Sequence, residues 1–156
     1  MTVINRAASP ITTPACVRGT DAWLAVVRTY QKCSDTLSQR IAPLGLKLAQ
    51  HDVMMNLLMH AQPTQQQLAE QSFVTKSHMS AVLSEMLLQG WITRTDSSTD
   101  KRSKLISLTP SGRALALQAY AAQAVVINAM MGPLTDKQIS ELERVSRSAV
   151  AALAVL

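Results

Sequence analysis

The sequence predicts a mainly α-helical chain interrupted by one small β-hairpin. Three observations carry this expectation. Apolar residues make up 47% of the 156 and charged residues 16%, enough for one ordinary hydrophobic core and too apolar for disorder over most of the length. The apolar mass is Ala, Leu, Val and Met, and the aromatics are Trp23, Tyr30, Phe73, Trp91 and Tyr120. That composition favours helices packed through small side chains over a β-sandwich. Single glycines (Gly19, Gly45, Gly90, Gly112, Gly132) near Pro43, Pro63, Pro110 and Pro133 then cut the chain into periodic segments.

The first segment, residues 20 to about 42, places Trp23, Val27, Tyr30, Ser34, Leu37, Ile41 and Leu44 at alternating steps of four and three, a helix with a seam like that of a coiled coil. A second helix is expected from about 50 to 61, with Val53, Leu57 and Ala61 on one face and no obvious cap. Thr64 and Gln67 form a capping box that opens a short helix to about 72. After Phe73-Val74, Thr75 caps a further helix whose Met79, Val82, Leu83, Met86 and Leu87 follow the i, i+3, i+4, i+7, i+8 pattern. Gly90 ends that helix. Residues 91–95 alternate as a strand, 96–103 make a polar turn and 105–108 return as a second strand. Thr109-Pro110 opens a long helix to about 131, apolar nearly all round and therefore expected to be enclosed by protein. After Gly132-Pro133, a second capping box, Thr135 with Gln138, starts a last helix that carries Ile139, Leu142, Val145, Ala149, Ala152, Leu153 and Leu156 along one stripe.

The longest unbroken apolar run, residues 149–156, is far short of the ~20 residues that cross a bilayer, so no membrane partner is expected. The first nineteen residues read as a flexible leader without the pattern of a secretory signal, and the chain is expected in the cytoplasm. Cys16 and Cys33 are read as plain thiols. His51 and His60 fall on opposite sides of one helix, so no metal site is expected, and no cofactor. The absence of a Gly-rich phosphate loop, a nucleophile elbow or a tight carboxylate cluster speaks against an enzyme. A net charge of +5 with pI near 9.6 points to an anionic partner, nucleic acid first.

A short helix, a three-residue turn, a second helix and a two-stranded ribbon make up a winged helix-turn-helix, residues about 50–109, whose second helix can enter a major groove. Terminal helices as apolar as residues 20–42 and 110–155 suggest that two chains dimerise through them. The sequence also resembles the MarR family of bacterial transcription regulators, from about Trp23 to Leu153. The resemblance rests on Gln50-His51-Asp52-Val53, Gln67-Leu68-Ala69-Glu70, Val74-Thr75-Lys76-Ser77, Gly90-Trp91-Ile92, Asp100-Lys101-Arg102 and Ser107-Leu108-Thr109-Pro110-Ser111-Gly112. It implies one domain over residues 20–156 acting as a homodimeric, ligand-responsive repressor on inverted repeats in double-stranded DNA.

Carried over residue by residue, the helix from Thr75 becomes a recognition helix, with Thr75, Lys76, Ser77, His78, Ser80, Ala81 and Ser84 toward DNA. The resemblance makes the loop the wing, with Arg102 in a minor groove, Asp100 orienting its guanidinium, and Arg94, Lys101 and Lys104 neutralising phosphates. Many members carry arginine where Ala81 stands and glycine where Phe73 stands. Family likeness further implies a small aromatic or anionic effector, with Trp23, Arg28, Tyr30 and His51 as pocket residues by position. Competing readings stay open: Asp100 and Arg102 as a solvated pair, Lys76 to His78 as an ordinary helix start, Trp23 and Tyr30 as core. The rival for the whole chain is a winged-helix protein-interaction module without DNA binding.

Overall fold

The structure is a computed structural model that describes residues 17–60, 62–72, 75–96 and 104–155, and of Lys76 the backbone alone. Cys16, Phe73, Asp100, Lys101 and Arg102, all named above, lie outside the described residues. The chain divides into two compact units, residues 1–32 and 33–156. The division falls inside α1 (Thr20–Ile41).

In the first unit, Thr20 and Trp23 start α1 by donating their N–H groups to the carbonyls of Val17 (3.1 Å) and Gly19 (2.9 Å). Trp23, Val26 and Tyr30 on this helix are exposed.

The second unit holds the core. After Ile41 a single 3₁₀ turn, Ala42–Leu44, ends at Gly45 (φ +74°), which turns the chain into α2 (Leu48–Met59). Lysine has no acceptor, so α2 is capped from the other direction: the Gln50 side-chain carbonyl accepts the Lys47 N–H at 3.0 Å. Helices α3 (Gln65–Gln71) and α4 (Lys76–Leu88) start on Thr64 and Thr75, whose hydroxyls accept the N–H groups of Gln67 and His78. Strands β1 (Ile92–Asp96) and β2 (Lys104–Leu108) are antiparallel, with Ile92 opposite Leu108 and Asp96 opposite Lys104. An isolated, single-residue bridge pairs Thr64 with Leu105, and the Ile106 N–H donates to the Pro63 carbonyl at 3.0 Å. The start of α3 is thereby sewn to the hairpin. Ile41, Leu46, Val53, Met54, Leu57, Leu68, Met79, Val82, Leu83, Met86, Ile92, Ile106, Ala116 and Ala119 form one buried cluster.

The junction of α4, β1 and α5 (Pro110–Met131) is tight. The Gly90 N–H donates to the Leu87 carbonyl and the Trp91 N–H to the Met86 carbonyl, both at 3.0 Å, a Schellman closure with Gly90 in the left-handed region (φ +69°). The Gly90 carbonyl then accepts the hydroxyls of Thr109 (2.7 Å) and Ser111 (3.2 Å). The Trp91 carbonyl accepts the Thr109 N–H at 3.0 Å. A Cβ on Gly112 would stand 1.8 Å from that same carbonyl oxygen.

Two expectations are corrected here. Helix α5 is not enclosed: Gly112, Ala116, Ala119 and Val126 are buried on one stripe, while Leu117, Tyr120, Val125, Ile127 and Met130 are exposed. One chain supplies cover for one stripe only. By length and composition alone α5 is also long and apolar enough to cross a membrane. Unbroken apolar runs do not reveal it, because Gln118, Tyr120, Gln123 and Asn128 are spaced through it. Helix α6 (Asp136–Leu153) has the predicted Thr135–Gln138 capping box. Of its stripe Ile139 is partly buried, whereas Leu142, Val145 and Leu153 are exposed.

Candidate nucleic-acid interface

Four buried residues, Met79, Val82, Leu83 and Met86, turn one side of α4 into the core. The helical period then fixes what the other side shows: Ser77, His78, Ser80, Ala81, Ser84 and Glu85 are all exposed. The face opposite the apolar stripe is thus exposed.

Its side chains are already engaged with the protein. Thr75 accepts the His78 N–H at 3.4 Å and lies 3.2 Å from the Ser77 hydroxyl. Ser80 accepts from Gln65 Nε2 on α3 at 2.9 Å, and the Ser84 hydroxyl donates back to the Ser80 carbonyl at 2.8 Å. On the other flank Glu85 accepts from Lys47 Nζ at 2.9 Å and from Gln50 Nε2 at 3.0 Å. The hydrogen bond from Lys47, and then its charge, holds the Glu85 carboxyl below its ordinary range, with His78 adding a smaller effect. Helix α4 is therefore tied along both flanks, to α3 and to α2. Sequence reasoning missed the roles of Lys47 and Gln50, whose partner Glu85 is distant in sequence.

In the hairpin Arg94 is exposed, and Lys104 forms an exposed ion pair with Asp96 across the two strands. The expected role of Lys104 at phosphates thus starts from a partnered ammonium, although so exposed a pair is weak. The wing residues Asp100, Lys101 and Arg102 lie outside the described residues, as does the Lys76 side chain.

The expected pocket residues are divided between the two units. Trp23, Arg28 and Tyr30 lie exposed in the first unit, whereas His51 is buried in the second. Its Nε2 has no hydrogen-bond partner among the described residues, and burial lowers its pKa, opposed in part by Asp52. A groove of about 340 Å³ runs instead between α2 and α5, lined by Met55, Leu58, Met59, Arg113, Leu117, Tyr120 and Gln123. The sequence reading did not mark it, since that reading followed the Val53 and Leu57 face of α2, and Met55, Leu58 and Met59 lie off it. Among the described residues no group of three or more His, Cys, Asp or Glu could hold a metal ion.

Residues 44–103, which carry α2 to β1, match the model of the MarR family. The winged-helix stretch is similar to the MarR family. An uncharacterised HTH-type transcriptional regulator of Bacillus cereus is 30% identical over 96 residues, 62% of this chain. The chain spans 63% of that relative's length. A MarR variant from Escherichia coli, solved with operator DNA, superposes with a TM-score of 0.74 at 22% identity, covering 83% of this chain and 94% of that one. CouR from Rhodococcus jostii, solved with p-coumaroyl-CoA, superposes with a TM-score of 0.77 at 20% identity, covering 84% and 92%. These likenesses give the present chain a MarR-type fold, mostly helical with a two-stranded antiparallel sheet.

Proposed function

We propose that the chain is a sequence-specific, double-stranded DNA-binding transcription regulator of the MarR type, a ligand-responsive repressor in the cytoplasm. The observation that carries this reading is the exposed polar face of α4, Ser77, His78, Ser80, Ala81 and Ser84, standing directly opposite four buried apolar residues. A helix with that division can lie in a major groove with hydroxyl, imidazole and methyl groups toward base edges. Arg94 and Lys104, with Lys76, Lys101 and Arg102, would add phosphate contacts, and Arg102 ordered by Asp100 would read a narrow minor groove. Residues 20–156 would act as one domain, two copies pairing through α1 and α6 to address half-sites about 10 bp apart. The effector would be a small aromatic or anionic molecule. The groove between α2 and α5 supports this part, since it is largely apolar, has one guanidinium at Arg113, and falls in the usual size range of ligand pockets.

The test is selection of duplex fragments by the purified protein, followed by gel shifts over a range of salt. An inverted repeat and a log–log salt slope of about −4 to −9, as roughly five to ten phosphate contacts per dimer would give, are expected. A flat salt response, or no preference for any inverted repeat, would favour a winged-helix module that binds protein.

A further inference from the structure

The exposed face of α4 carries an anion at its edge. Glu85 follows Ser84 by one residue and Ala81 by four, which places it beside that face rather than at its centre. A helix with its side chains is ~10–12 Å across and the major groove is about 12 Å wide, so the edges of an inserted helix lie against walls lined by phosphate. A carboxylate there needs a cation between it and the wall.

The structure supplies one from outside the helix-turn-helix. Lys47, at the start of α2, donates to Glu85 at 2.9 Å and leaves 71% of its side chain exposed. An ammonium has three N–H donors and Glu85 takes one of them. Gln50 makes the arrangement rigid: it is 4% exposed, its amide donates to Glu85, and its carbonyl accepts the Lys47 N–H. One buried side chain thus fixes both the carboxylate and the backbone that carries the ammonium.

We infer that Lys47 is a DNA-backbone contact, held at the edge of α4 by Glu85 and Gln50 so that its ammonium serves the carboxylate and a phosphate together. This rests on the DNA-binding reading of α4. The Glu85 carboxyl, held below its ordinary range by Lys47, stays ionised and keeps the lysine in place. The consequence is a phosphate contact that carries no sequence information but sets how deeply α4 seats.

The full-length protein tests this, with Lys47→Met and Lys47→Arg beside the wild type. Each is titrated over a range of salt with a random-sequence duplex and with a duplex that the wild type selects. Lys47→Met should weaken binding to both duplexes by about the same factor and make the salt slope shallower by about one for each phosphate no longer neutralised. Lys47→Arg should restore the slope, because a guanidinium can also bridge a carboxylate and a phosphate. If Lys47→Met loses affinity with an unchanged slope, the lysine merely holds α4 and the inference falls. It falls equally if neither affinity nor slope changes. A wild type that binds neither duplex at low salt overturns the DNA-binding reading itself, and this inference with it.

Discussion

Of the five glycines, Gly112 has the least room for a side chain. Any side chain there meets the Trp91 carbonyl oxygen at 1.8 Å, and that oxygen is backbone already committed to the Thr109 N–H. Relief requires α5 to move off the hairpin. Gly112→Ala should therefore cost about 3 kcal/mol, the upper part of the range for overpacking, read as a lowered midpoint in denaturant. His51 makes a second prediction at this scale. Burial favours its neutral form, so its folded pKa lies below the ordinary 6.5. Between the two values the unfolded chain binds more protons than the folded one, and stability is lost as pH falls through about 6.5 toward the folded pKa. Denaturation midpoints of the wild type should drop between pH 7.5 and pH 5.5 by more than those of His51→Phe. Equal drops would mean that His51 contributes nothing to the acid response.

At the scale of elements, Thr109 does three jobs at the start of α5. Its hydroxyl accepts the Gly112 N–H at 3.0 Å and donates to the Gly90 carbonyl at 2.7 Å, and its N–H binds the Trp91 carbonyl. Thr109→Ala should cost about 1–2 kcal/mol in denaturant titration, the high end for removal of a cap, because a link to α4 goes with it. Features of this local kind were legible in the sequence. The capping boxes at Thr64 and Thr135, the Pro110 start and the Gly90 stop each lie within a few residues, and all stand where the spacing put them. The Met79, Val82, Leu83 and Met86 stripe was legible too, and with it the face opposite. The rest was not, because it joins residues far apart in the chain. Lys47 and Glu85 are 38 positions apart, and the pairing of Thr64 with Leu105 follows from no local pattern. The periodicity of α5 showed that it is apolar all round, but not that a single chain covers only one side of it.

The whole molecule leaves apolar surface open along three helices, at Val26 and Tyr30, at Leu117 and Ile127, and at Leu142, Val145 and Val150. Large exposed apolar patches are rare on soluble monomers and mark interaction sites. A homodimer that persists on dilution to low micromolar concentration is expected in sedimentation, and deletion of residues 141–156 should abolish both the dimer and DNA binding. A full-length monomer at that concentration would sink the dimer proposal. The junction at Gly90, Trp91, Thr109 and Gly112 has a further consequence at this scale. It fastens both legs of the hairpin at their base, and the Thr64 bridge to Leu105 ties β2 to the start of α3 as well, so the described ribbon is anchored to α3, α4 and α5 together. The number of residues between the strands can then change without moving the contacts that set where the ribbon points. Insertions or deletions between Asp96 and Lys104 should leave the attitude of α4 untouched. Reach and aim become separate variables, which evolution can adjust one at a time.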